Sequence, residues 1–160
     1  MARPDDTHPE LPLDPDADPE RPLHLRPGAV ALVASGGFVG TLARYGLSRL
    51  DPTHVRTWPW GTFVANILGA LVLGVLLEWL ARRGVDGGWR RRARLLLGTG
   101  FCGALTTYSA LAVETDLLVR GHRPGLAVGY LAASVLAGVL ATVLGILAAG
   151  RAGARDGPAS

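Results

Sequence analysis

Four long runs of almost uncharged residues limit what this chain can fold into more than any other feature. A helix needs about 20 apolar residues to cross a hydrocarbon core about 30 Å thick. Backbone polar groups in hydrocarbon must be bonded within their own segment, which selects helices. Because only short links join the runs, the sequence predicts an all-α membrane protein with four transmembrane helices. We place the spans at about Gly28–Leu50, Trp58–Leu77, Leu95–Val113 and Gly125–Gly150.

The two ends of the chain differ in composition from this four-helix domain. Residues 1–27 hold seven prolines and seven of the 13 acids, and their leucines follow no helical or strand period. Such a stretch buries too little apolar surface to offset its chain entropy. We therefore predict a disordered acidic, Pro-rich tail at 1–27, a transmembrane domain at 28–150 and a disordered C-terminal tail at 151–160.

The distribution of arginines predicts the orientation of the chain. Four spans put both tails and the second link on one side of the membrane. That side holds ten arginines near the spans and the other side holds four. By the positive-inside rule, both termini lie in the cytoplasm and the chain is a multi-pass protein of the cell membrane. The ten are Arg21, Arg26, Arg82, Arg83, Arg90, Arg91, Arg92, Arg94, Arg151 and Arg155; the four are Arg49, Arg56, Arg120 and Arg123.

Several function classes are excluded by what the chain lacks. With 49% hydrophobic and 18% charged residues it suits a lipid bilayer, and no basic-aromatic patch favours a nucleic-acid partner. The four histidines lie in the tail or the links without metal-ligand spacing. No nucleophile elbow and no phosphate loop is present, so we expect no enzyme activity.

The first two spans each carry a polar side chain on a face of small or hydroxyl residues. Gly36, Gly40 and Arg44 recur every four residues. Arg44 either reaches the membrane interface from a helix end or attracts anions in a water-filled vestibule. Asn66 lies one turn after Thr62, and its amide either bonds another helix or donates to an anion.

The third and fourth spans are the most polar in their interiors. Gly100 and Gly103 permit a break in the third helix, and the hydroxyls of residues 106–109 follow directly. A break frees carbonyls that bind cations and N–H groups that favour anions, and it survives only inside protein or beside water. Four spans are too few to surround it, which favours a partner chain. The fourth span repeats polar or small residues every four positions, as a packing seam or one wall of a polar track, at Tyr130, Ser134, Gly138 and Thr142.

Three blocks of sequence resemble the signature motifs of the CrcB/Fluc fluoride channel family. They read GGFVGTLARY at Gly36–Tyr45, WGTFVANILGALVLG at Trp60–Gly74 and GFCGALTTYSALAVE at Gly100–Glu114. The resemblance covers about Gly28–Gly150. It implies a fluoride-specific channel that passively exports fluoride from the cytoplasm and relieves its toxicity. It also implies an antiparallel, dual-topology dimer with two pores at the subunit interface and no organic cofactor.

The resemblance also assigns roles to individual residues. It implies a structural sodium ion at the dimer centre, held by the main-chain carbonyls of Gly103 and Thr106. Asn66 matches the pore asparagine, Arg44 the vestibule arginine, and Ser134 the polar-track serine. Glu114 matches the glutamate that ends the third block. The remaining candidates for the pore wall and for fluoride binding are Thr62, Thr107, Tyr108, Ser109 and Leu111.

One departure from the family pattern bears on assembly. The family block commonly reads TTFSTF, with two pore-lining phenylalanines, whereas here Tyr108 and Leu111 take those positions. A homodimer would carry the change in both pores. A heterodimer with a homologous subunit of opposite orientation would not carry the change at every pore position. The ten-to-four arginine bias favours such a heterodimer. The alternatives are a small four-helix drug or cation exporter, which needs a carboxylate in the first helix, and a non-conducting accessory subunit.

Overall fold

The computed structural model describes residues 25–49, 57–84 and 86–155, and over these residues the chain is helical apart from short links. Four stretches are long and apolar enough to cross a membrane, which confirms the predicted all-α, four-span fold class. A π-helical segment, Arg94–Cys102, lies between the third and fourth α-helices. The α-helices are α1 Pro27–Ser48, α2 Trp60–Ala81, α3 Gly88–Ala93, α4 Gly103–Leu105, α5 Tyr108–Arg120 and α6 Pro124–Arg155.

The ends of the helical domain differ slightly from the prediction. Helix α1 begins at Pro27, whose fixed φ suits the first helical position. Helix α6 continues past Gly150 to Arg155, where the sequence led us to expect a disordered tail. Its last residues are mainly alanine, glycine and arginine, and none of them stops a helix as proline would. Residues 1–24 and 156–160, which carry most of the two predicted tails, lie outside the described residues.

Helix α1 packs backbone to backbone against the π-helical segment. A Cβ atom at Gly36 would overlap the carbonyl of Leu96, and one at Gly40 would overlap the carbonyl of Phe101. From the other side, a Cβ at Gly100 would lie 2.7 Å from the Val33 carbonyl oxygen. Small residues permit this approach between transmembrane helices. The glycine face of the first span is therefore a packing seam.

A second glycine seam joins α2 to α6. A Cβ at Gly74 would lie 2.5 Å from the carbonyl oxygen of Thr142, and a Cβ at Gly145 would lie 2.5 Å from that of Leu71. By contrast, a Cβ at Gly138 would meet no heavy atom within 4 Å. The polar stripe of the fourth span thus contributes to packing at Thr142, whereas Gly138 borders open space.

Among the described residues, few large side chains are buried within the single chain. One apolar cluster contains Leu111, Leu118, Ala127 and Tyr130. Elsewhere many large apolar residues are exposed, including Phe38 at 67% and Leu136 at 69% of their surface. Such surfaces are stable in lipid or against another chain, because lipid tails are as apolar as the side chains themselves.

Candidate functional site

The third span is interrupted by two threonines. Thr106 has φ −79° and ψ 153°, and Thr107 has φ −152° and ψ 124°, both extended conformations. They separate α4 from α5. The Thr107 hydroxyl accepts a hydrogen bond of 3.2 Å from the backbone N–H of Ala110, which caps the start of α5.

Asn66 holds the extended backbone from the neighbouring helix α2. Its Oδ1 accepts a hydrogen bond from the Thr107 N–H at 2.7 Å. Its Nδ2 donates to the Thr107 carbonyl at 3.1 Å. The amide therefore pairs with both main-chain polar groups of Thr107, which is the structural one of the two roles left open by the sequence. An amide nitrogen carries two hydrogens, so Nδ2 keeps one further donor.

These bonds take the helical N–H donors away from two main-chain carbonyls of the third span. In a continuous helix the Thr107 N–H would pair with the Gly103 carbonyl, but it donates to Asn66 instead. Likewise the Ala110 N–H would pair with the Thr106 carbonyl, but it donates to the Thr107 hydroxyl. Gly103 is exposed in the single chain, and Thr106 is partly exposed. The two carbonyls that the family resemblance names are therefore among those that lose a helical donor at the interruption.

Glu114 joins three of the spans through its carboxylate. Thr62 on α2 donates its hydroxyl to Oε1 at 2.6 Å. Tyr130 on α6 donates its hydroxyl to Oε2 at 2.6 Å. Because each carboxylate oxygen accepts a hydrogen bond from a hydroxyl of a different helix, this pair orients the side chain. Tyr130 is fully buried and Glu114 partly buried.

A cavity of about 510 Å³ lies between the end of α1, the start of α2 and the first turns of α5. It brings Arg44 next to Glu114 and three hydroxyl-bearing candidates. Arg44 is partly buried, and within the described residues no hydrogen bond or ion pair holds its guanidinium. The lining residues are Thr41, Arg44, Tyr45, Ser48, Thr62, Thr107, Ser109, Ala110, Val113 and Glu114.

Ser134 is a buried polar side chain that the cavity does not include. It is 7% exposed, and its hydroxyl lies near the Tyr130 hydroxyl but outside hydrogen-bond geometry. It lies one helical turn after Tyr130.

The two positions that depart from the family pattern have opposite environments. Tyr108 is 82% exposed at the start of α5. Leu111, one turn later, is 8% exposed and belongs to the apolar cluster. Neither residue lines the cavity. Within one chain, therefore, the cavity collects Arg44, Thr62, Thr107, Ser109 and Glu114, while Asn66 contacts it only through Thr107.

Two contributors were not among the site residues that we predicted. Tyr130 supplies a hydroxyl to Glu114, and its place in the four-residue stripe of the fourth span was the available signal. Tyr45 lines the cavity beside Arg44 and accepts a hydrogen bond of 2.9 Å from Arg49. As an isolated aromatic residue at the end of a span, it gave no periodic signal.

Known proteins are similar in sequence to this chain over most of its length. The family model described as CrcB-like protein, Camphor Resistance (CrcB), matches residues 31–146. The chain is 46% identical over 136 residues to the Fluoride-specific ion channel FluC 2 of Leifsonia xyli subsp. xyli, covering 85% of this chain and 93% of that protein.

Two further relatives agree. Identity to the Fluoride-specific ion channel FluC 1 of Mycolicibacterium paratuberculosis is 45% over 115 residues, or 72% of this chain and 85% of that protein. Identity to the Fluoride-specific ion channel FluC of Novosphingobium aromaticivorans is 46% over 121 residues, or 74% and 93%. The resemblance seen in the three sequence blocks is confirmed, and the chain belongs to the CrcB family.

Proposed function

We propose that this chain is a subunit of a fluoride-specific ion channel that lets fluoride leave the cytoplasm passively and so relieves its toxicity. The names of its relatives support fluoride as the transported ion. The observation that carries the proposal within this chain is the cavity in which the Arg44 guanidinium, held by no described partner, faces hydroxyls and an amide-clamped backbone. The proposed function is ion transport, and ion channels are not a class of enzyme.

The side chains at the site suit a small, strongly hydrated anion. A pore for fluoride has to replace its water with hydrogen-bond donors. Thr107 and Ser109, whose hydroxyls lie 3.1 Å apart, and the remaining amide N–H of Asn66 are such donors. Arg44 raises the local concentration of anions at the mouth of the cavity. Glu114 would repel an anion, but Thr62 and Tyr130 already direct donors at its two oxygens.

We propose that two chains assemble antiparallel, with the pores at their interface. Tyr108 and Gly103 support this arrangement, because both are exposed beside an interruption that has to be covered by protein or water. The unsatisfied hydroxyl of Ser134 supports a polar path that the single chain leaves incomplete. In this arrangement each pore would be lined by residues of both subunits.

We further propose the sodium site at the main-chain carbonyls of Gly103 and Thr106. Both carbonyls lose their helical N–H donors, to Asn66 and to the Thr107 hydroxyl. Oxygen ligands suit a hard cation, and two antiparallel copies would offer four of them. When bound, sodium supplies a fixed positive charge in a low-dielectric region, which favours anions nearby. If the site exists, exchanging sodium for choline should lower the thermal stability of the dimer.

The pairing partner that we propose is a homologue of opposite orientation. The ten-to-four arginine bias supports a single orientation with the termini in the cytoplasm. Tyr108 and Leu111 support it as well, because a partner with phenylalanines at those positions would retain one unaltered set. A drug or cation exporter is not favoured, since the family is established and α1 carries no carboxylate.

Fluoride release from liposomes, followed with a fluoride electrode, tests the function and the pairing together. The chain is reconstituted alone and with any homologue encoded beside it. We expect release from the mixed preparation. Fast release from the chain alone, with the chain inserted in both orientations, would contradict the heterodimer. Absence of release from both preparations would contradict the channel.

A further inference from the structure

A second polar cavity lies at the end of the spans opposite to the Arg44 cavity. It has a volume of about 530 Å³ and forms where the start of α1 meets α3 and the first residues of the π-helical segment. We propose that this groove, the arginine groove, binds the phosphate headgroup of an anionic phospholipid, with an acyl chain on its apolar wall. It is lined by Arg26, Gly28, Ala29, Leu32, Gly88, Arg91, Arg92 and Leu95.

The described lining of the groove is rich in arginine. Three of the described lining residues are arginines, and none of the described lining residues is acidic. The carboxylate of Asp86, just before α3, is paired with Arg94. Arg92 is exposed, and within the described part of the chain no hydrogen bond or ion pair holds it. Clustered arginines beside a span attract anionic lipid surfaces, and a guanidinium donates two parallel hydrogen bonds to a phosphate.

The apolar wall distinguishes a lipid from a free anion. Ala29, Leu32 and Leu95 line the same groove as the arginines. Leu32 follows Arg26 by six residues, which is roughly 9 Å along a helix axis. The groove therefore runs from a charged rim at the headgroup level to an apolar floor inside the hydrocarbon. A free phosphate or a fluoride ion would bind only the arginines of the rim and would make no contact with the apolar floor.

Native mass spectrometry of the purified full-length protein with added phosphatidylglycerol or phosphatidylcholine tests the proposal without reference to transport. We expect phosphatidylglycerol to be retained preferentially. The double variant Arg91→Gln, Arg92→Gln should lose about fivefold in retention for each arginine removed. The matched control is Arg82→Gln, Arg83→Gln, which removes the same charge at the same end from residues outside the groove lining. An equal loss in the control would overturn the proposal.

A second variant separates the groove from general surface attraction. A Cβ at Gly28 would meet no heavy atom within 4 Å, so Gly28→Leu fills the groove and keeps every arginine. We expect it to reduce retention of phosphatidylglycerol as strongly as the arginine variants do. Unchanged retention would overturn the groove as the binding site. If the double variant does not fold, the exposed Arg92→Gln alone gives the same comparison.

Measurements of fluoride release distinguish lipid binding from fluoride binding in the arginine groove. Fluoride release should be the same for the wild type and for the Arg92→Gln variant when each is reconstituted with the homologue in phosphatidylcholine liposomes, which contain no anionic lipid. An equal decrease in neutral and anionic liposomes would show that the groove collects fluoride, and would overturn the lipid proposal.

Discussion

The two halves of the third span are held in place by different interactions. The first half, Arg94–Cys102, approaches α1 so closely that Gly36 and Gly40 leave no space for a side chain. The second half begins at two extended threonines and is held by polar side chains of α2 and α6, namely Asn66, Thr62 and Tyr130. The first half is therefore positioned by close backbone packing and the second half by hydrogen bonds. The cavity that collects Arg44, Thr62, Thr107, Ser109 and Glu114 lies beside the second half.

The largest effect should come from adding volume to the first half. Gly36→Val places a Cβ on the Leu96 carbonyl, and we expect a loss of about 3 kcal/mol or more in the free energy of unfolding. Recovery of the folded protein from a sizing column and thermal unfolding in detergent measure it. Gly37→Ala is the matched control, because its Cβ would meet nothing nearer than 3.9 Å. Equal recovery of both variants would contradict the close seam.

The next largest effect should come from the Asn66 clamp. Asn66→Asp keeps an acceptor for the Thr107 N–H but turns the donor to the Thr107 carbonyl into an acceptor. We expect a loss of about 2–3 kcal/mol, together with loss of fluoride release. Ser35→Ala serves as a control, since that exposed hydroxyl bonds only its own helix at Ala31. A fully stable Asn66→Asp protein would show that the clamp does not hold the break.

A smaller effect should follow from removing one hydroxyl from the carboxylate. Tyr130→Phe loses the 2.6 Å bond to Glu114, and we expect a loss of about 1.5–3 kcal/mol with slower fluoride release. Tyr45→Phe removes a hydroxyl bonded to exposed Arg49, so it should leave the thermal midpoint unchanged. Comparing the two midpoints measures the Glu114 contact itself. Identical midpoints would mean that this contact contributes nothing to stability.

The smallest effect on stability should come from Arg44. Since no described partner holds its guanidinium, Arg44→Gln should unfold at the same temperature as the wild type. Fluoride release, however, should fall roughly tenfold at low ionic strength and by less at high ionic strength, because salt screens the attraction. Arg49→Gln, an exposed arginine at the end of α1, is the control for charge alone. An unchanged rate for Arg44→Gln would remove it from the conduction path.

The spans and the closely packed first half of the third span could be predicted from sequence more fully than the hydrogen-bonded second half. Long apolar runs predicted the four spans, because span length depends only on local composition. Gly36 and Gly40 were predicted to share one face, and the structure identifies the π-helical segment as the partner of that face. We predicted no π-helical segment, because such segments are rare and this apolar run also suits a transmembrane α-helix.

The polar half was harder to predict because its contacts join residues far apart in the chain. Asn66 and Thr107 are 41 positions apart, and periodicity within one helix contains no information about such a pair. The sequence left Asn66 as a structural amide or an anion donor, and the structure shows the structural bonds with one donor hydrogen remaining. For Glu114 the family motif named the residue, but only the packing of α5 against α6 reveals Tyr130 as its partner.

The most direct test of the central claim is a paired measurement of fluoride and chloride release from liposomes that contain this chain and its homologue. The account predicts rapid fluoride release with chloride release near that of empty liposomes, and loss of the fluoride signal in Asn66→Asp. Equal rates for the two anions, or fluoride release no faster than from empty liposomes, would contradict it.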